Sequence, residues 1–198
     1  MSLTYPLDLP TSIGMSHIEI RAVNSIALSQ SPFSFKQQVI SHGGQRWEAT
    51  VTLPPVRRDL IGPWKALLIG LKGQQGTFLL GDPDFETPTG GATSIEVTGT
   101  IGEDDVTFNL AGGNLNPGDY FQVGADSSTR LYQVLTTVTA GGQTSGTVWP
   151  NLRATYTQET GSVSSPKGVF RLASNVNSWS INNASAYGMT FEAIEVIT

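Results

Sequence analysis

The sequence predicts a mainly β fold: a β-sandwich or split-barrel body with a single α-helix over about residues 59–72, and a small β-barrel or sandwich domain inserted into it. Three observations predict this. Glycine (22) and proline (11) together fill 33 of 198 positions, and both disfavour helix interiors. Short runs of apolar–polar alternation, bounded by turn residues, recur along the chain. Apolar spacing of helical period occurs convincingly once.

The first strand reads over residues 16–22, where Ile18 and Ile20 share one face and His17 lies on the polar one. In Arg46-Trp47-Glu48-Ala49-Thr50-Val51-Thr52-Leu53, the residues Trp47, Ala49, Val51 and Leu53 point one way and the polar set the other. Pro54-Pro55 removes two ladder donors and predicts the end of that strand. The period then changes: Leu60, Trp64, Leu67, Leu68 and Leu71 form a helical stripe expected to face the core. Asp59 is the expected N-cap, Pro63 falls in the tolerant first turn, and Lys72-Gly73 supply a basic end and a C-cap. A short buried strand follows at residues 76–80.

The turn-rich run Gly81-Asp82-Pro83-Asp84-Phe85-Glu86-Thr87-Pro88-Thr89-Gly90-Gly91 predicts a boundary. Beyond it, residues 92–165 hold only Arg130 and Arg153 as basic groups. Strand signals fall at 94–98, 106–110, 120–123, 130–138 and 147–149, with turn chemistry at Asn116-Pro117-Gly118-Asp119 and Gly141-Gly142. A second Gly/Ser/Pro stretch at 161–168 closes this unit, and strand signals resume at 169–173, 179–181 and 189–197. The expected organisation is a discontinuous body, residues 1–89 plus 166–198, interrupted by an inserted β domain at 90–165.

Composition narrows the function. Hydrophobic residues are 38% and charged residues 14%, unlike the charged, core-poor pattern of disorder. The net charge of −5, with Arg57-Arg58 as the only tight basic pair, argues against nucleic-acid binding. With no cysteine, disulfides, thiolate chemistry and Cys-based metal sites drop out. The opening Met1-Ser2-Leu3-Thr4-Tyr5-Pro6 has no signal-peptide character, and the longest apolar run, residues 64–71, is too short to cross a bilayer. The expectation is a soluble chain made in a cytoplasm, without membrane insertion.

Candidate chemistry is sparse. His17 and His42 lie in unrelated contexts, His42 before a turn expected at Gly43-Gly44; Ser41 beside it is adjacency, not a catalytic relay. Asp82, Asp84 and Glu86 gather carboxylates, but Pro83 and the missing calcium-loop glycine favour a capped turn. Glu103-Asp104-Asp105 reads as a solvated loop. Gly73-Gln74-Gln75-Gly76 lacks the ending of a phosphate cradle. Asn183-Ala184-Ser185 fits a glycosylation sequon, which matters only on secretion. The aromatics Trp149, Tyr156, Trp179 and Tyr187 either pack in a core or subunit interface or stack on a sugar. Trp149 and Tyr156 are the candidate glycan or interface residues. No catalytic residue, cofactor or metal site is expected, and the chain reads as a non-enzyme.

Several runs carry a resemblance. Tyr5-Pro6-Leu7 with Leu9-Pro10, Gln37-Gln38-Val39, the strand through Trp47 to Pro55 with its helix, Gly76-Thr77-Phe78-Leu79-Leu80-Gly81-Asp82-Pro83, Gly168-Val169-Phe170-Arg171-Leu172 and Phe191-Glu192-Ala193 resemble the minor and distal tail proteins of long-tailed, siphovirus-like bacteriophages. Within 92–165, Pro117-Gly118-Asp119-Tyr120 and Trp149-Pro150 resemble them less specifically. The resemblance implies a virion structural protein of the tail tip, assembled in the host cytoplasm. It implies a ring, commonly hexameric, joining the tail tube to a hub, baseplate, tail fibre or other receptor-binding apparatus. None of the matching residues is catalytic. Ring closure would bury sheet edges that a lone subunit exposes. The alternative expectation is a carbohydrate-binding module for host-surface glycans, with Trp149 or Tyr156 exposed on a concave face. A hydrolase of envelope polymers lacks any visible acid–base cluster.

Overall fold

The computed structural model describes residues 3–182 and 186–197. The chain is mainly β, 51% strand and 8% helical. In chain order it runs through β1 (His17–Gln30), β2 (Gln37–Val56), α1 (Arg58–Gly70) and β3 (Phe78–Leu80), then β4 (Ala92–Gly99), β5 (Asp105–Gly112), β6 (Tyr120–Val123), β7 (Arg130–Val134), β8 (Gln143–Trp149) and β9 (Tyr156–Ser162), and ends with β10 (Gly168–Leu172), β11 (Trp179–Ile181) and β12 (Tyr187–Glu195).

Two sheets divide these strands. One has six strands in the order β1-β2-β12-β10-β3, with β11 on β12. The other closes as the barrel β4-β5-β8-β7-β6-β9. The chain therefore leaves the first sheet after β3, builds the barrel and returns through β10. Of the two forms open for the inserted segment, the closed barrel is the one adopted, which leaves that unit no free edge.

Alternation in β2 sets the main core. Trp47, Ala49, Val51 and Leu53 are buried, with Ile18 and Ile20 of β1 packed against the same cluster. The opposite face is polar: Thr52 Oγ1 lies 3.2 Å from Thr190 Oγ1, and Glu48 receives Arg46 Nη2 at 2.5 Å. Helix α1 covers the apolar face. Its buried residues are Ile61, Trp64, Leu67 and Leu68, followed by Leu71. Leu60 lies 44% exposed, so the expected stripe shifts by one residue at its start: Ile61, three positions before Trp64, takes the inward place. The helix starts at Arg58, with Arg57 as N-cap and Asp59 inside the first turn. It ends at Gly70, and the chain reverses through Lys72 and Gly73, both at positive φ. The expected N-cap and the last helical turn are corrected accordingly.

Residues before β1 form a strap across β3. Leu7 N–H donates to Thr77 O and Leu79 N–H to Leu7 O, both at 2.9 Å, while Tyr5 Oη donates to Gly70 O at 2.6 Å. The barrel has its own core, in which Phe121 lies 5.4 Å from Phe108 and 5.3 Å from Tyr132 between ring centroids.

Candidate functional site

The base of β2 is where the sheet and the barrel lock together. Trp47 Nε1 donates to Leu131 O at 3.0 Å, and the Trp47 ring meets Trp149 edge-on at 4.3 Å. Arg153, on the loop into β9, donates to Glu195 at 2.9 Å and to Gln45 O at 2.6 Å. The Glu195 side chain is 2% exposed and that of Arg153 11%. Glu195 also accepts Trp47 N–H at 3.0 Å. Both charges are thus paired and multiply bonded, as burial of an ion requires.

The aromatics singled out by sequence belong to this junction and to the barrel interior. Tyr156 is buried, its hydroxyl 3.2 Å from that of Tyr132, which also accepts Arg153 N–H at 3.0 Å. Desolvation raises the pKa of both phenols above the ordinary tyrosine value. Trp149 is half-buried against Trp47 and donates to Asn24 Oδ1 at 3.0 Å. Tyr156 therefore presents no open ring face to a sugar, and Trp149 is engaged within the chain. Trp179 and Tyr187 flank the Lys65 ammonium at 4.7 and 5.2 Å.

The other candidates remain separate. His17 is exposed on β1. His42 with Gly43-Gly44 lies within β2, not in a turn: the ladder slips between Asn24 and Ile26, and Gly43 takes a φ of 70° in the resulting irregularity. Asp82 and Asp84 form the expected capped turn, Asp84 N–H donating to Asp82 Oδ1 at 3.0 Å. Glu103, Asp104 and Asp105 are exposed. The sequon at Asn183-Ala184-Ser185 lies outside the described residues. Among the described residues no group of three or more His, Asp or Glu is placed to hold a metal ion, and no helix is long and apolar enough to cross a membrane.

What sequence reasoning missed is the projection beyond this junction. Strand β12 pairs with β2 only as far as Glu48, yet the β1–β2 ladder continues to Gln30↔Gln37. Residues 24–45 thus form a two-stranded arm, roughly 25 Å long at about 3.3 Å per strand residue. Direct pairing puts Ile26, Leu28 and Val39 on one face and Ala27 and Ile40 on the other. Ile26 (57%), Leu28 (59%), Val39 (62%) and Ile40 (49%) are exposed, and the tip carries Phe33 (95%) and Phe35 (72%). Between Arg21 and Arg46 the sequence holds one Lys, Lys36, and no Arg, Asp or Glu. An isolated two-stranded ribbon is marginal in water, and large apolar side chains exposed on both faces and at the tip of one mark an interaction surface.

No protein-family model matches the chain, and no curated protein matches it.

Proposed function

We propose that the chain is a structural subunit of the distal tail of a long-tailed bacteriophage, and that it forms a ring connecting the tail tube to the baseplate or receptor-binding apparatus. It acts through surfaces offered to copies of itself and to neighbouring tail proteins, and turns over no substrate. The observation that carries this reading is the arm of residues 24–45, a ribbon with one Lys and no Arg, Asp or Glu on which six large apolar side chains are exposed.

The magnitudes support self-assembly. Taking roughly 150–200 Å² for a fully open side chain of this size, the six large apolar residues of the arm offer roughly 700 Å². A standard protein interface buries about 800 Å² per partner. The arm extends strands at the β1 edge of the sheet, whereas β3 forms the opposite edge. A contact from one edge to an unlike surface near the other is heterologous, and such contacts propagate head to tail until a ring closes.

The test is negative-stain electron microscopy of the purified full chain at micromolar concentration, with light scattering on the same sample. Closed rings of uniform diameter are expected. Protomers alone across the whole concentration range, also with tail-tube protein added, would refute the reading.

A further inference from the structure

A cavity of about 290 Å³ opens beside β3, between the strap and the turn that follows the strand. Its walls are mostly apolar, with Leu9, Ile13 and Met15 on the strap side and Leu79 and Phe85 opposite, and buried Trp64 at the back. Asp82 and Lys167 also line it; Asp84 beside it is exposed, and Asp8 pairs loosely with Lys167 at 3.8 Å. Within the lining one carboxylate and one ammonium balance, and Asp84 adds an exposed carboxylate in the turn beside it.

The arm tip is the complementary shape. Ser31 Oγ accepts the N–H groups of Phe33 and Ser34, each at 3.4 Å, and Ser31 N–H closes the turn on Lys36 O at 2.9 Å. The turn leaves Phe33 directed outward at 95% exposure. Lys36, the arm's one ammonium, stands three residues away. Hence one element presents an outward aromatic knob beside a cation, and the opposite sheet edge presents an apolar hole beside the carboxylates of the Asp82–Asp84 turn.

We propose that Phe33 of one copy inserts into the strap cavity of a second copy, with Lys36 set against the Asp82–Asp84 turn. This rests on the ring reading and specifies its contact. The cavity is large enough for a benzyl group, Phe33 is the most exposed of the arm's six large apolar residues, and the charges of Lys36 and of the Asp82–Asp84 turn are of opposite sign.

The cysteine-free sequence allows a clean test. Ser34→Cys, which keeps Phe33, and Met15→Cys single variants are mixed under mild oxidation, with Ser145→Cys on the barrel replacing Met15→Cys as the control pair. A disulfide-linked dimer between Ser34→Cys and Met15→Cys chains should form at least tenfold faster than the control, and a chain carrying both substitutions should give a ladder ending at the ring's own stoichiometry. Phe33→Ala should raise the half-assembly concentration about thirtyfold, the scale of an interface hot spot. Lys36→Glu should raise it about fivefold, with Asp84→Lys in the same chain restoring it. Wild-type rings with no preferential cross-link and no charge rescue would overturn this contact and leave the ring intact. A wild-type chain that never assembles would overturn both.

Discussion

Replacing Arg153 by methionine tests the junction between the sheet and the barrel. Methionine keeps most of the hydrophobic stem but removes the guanidinium that bonds Glu195 and Gln45 O at 2.9 and 2.6 Å. Glu195, its side chain 2% exposed, is then left with Trp47 N–H as its bonding partner. Breaking a buried pair by removing one member costs about 3–5 kcal/mol, because the other charge stays out of water. The partial exposure of Arg153, 11%, places the expectation near the lower end, about 3 kcal/mol. For a chain of this size each kcal/mol moves Tm by about 2–4 °C, so Arg153→Met should melt roughly 6–12 °C below the wild type by calorimetry. Arg153→Met combined with Glu195→Met removes both charges and should recover part of the loss, since a well-packed apolar pair is often neutral while Trp47 N–H and Gln45 O lose their side-chain partners. A Tm drop below about 2 °C in the single variant, or a double variant no more stable than the single, would mean that the Arg153–Glu195 pair does not hold the junction.

Tyr132→Phe removes one hydroxyl of a buried pair and the acceptor of Arg153 N–H, and should cost about 1–3 kcal/mol in urea unfolding. Because burial raises the pKa of Tyr132 and Tyr156 in the folded chain, the unfolded state releases these protons first. Stability should hold below about pH 10 and fall as pH rises above it, with tyrosinate absorbance from this pair appearing together with unfolding; Tyr132→Phe/Tyr156→Phe should flatten that slope. Gly161 pairs with both Ile95 and Val123 where β9 closes the barrel, and a Cβ there would lie 2.6 Å from Gln122 O. Gly161→Ala should therefore lower the urea midpoint at unchanged secondary structure, and an unchanged midpoint would count against the tight closure.

Elements whose one face meets a core were legible in the sequence. The alternation from Arg46 to Leu53 and the helical spacing around Trp64 and Leu68 report burial directly, and burial is what the pattern encodes. The barrel strands showed for the same reason, except β9, where Thr157, Gln158, Glu159 and Thr160 are all exposed and no alternation marks the strand. The strand expected over 130–138 stops at Val134, and Val138 instead bridges Leu115. The arm was invisible by this logic. Both of its faces are exposed, so Ile26, Leu28, Val39 and Ile40 follow no single-core period, and Gly43-Gly44 mimicked a turn. Trp149 and Tyr156 were recognisable as aromatics near turns, but whether a ring faces solvent, a junction or a core depends on partners distant in sequence, here Trp47 and Tyr132.

Whether the arm is an assembly element is decided by sedimentation velocity on two forms of the full chain. The wild type is compared with Ile26→Ser/Leu28→Ser/Val39→Ser/Ile40→Ser, whose changes lie outside both cores. The wild type should sediment as one closed species several times the 21.1 kDa protomer mass. The variant should sediment as a protomer with an unchanged melting profile for sheet and barrel. Equal assembly of both forms, or protomers alone for both, would show that the arm does not drive assembly.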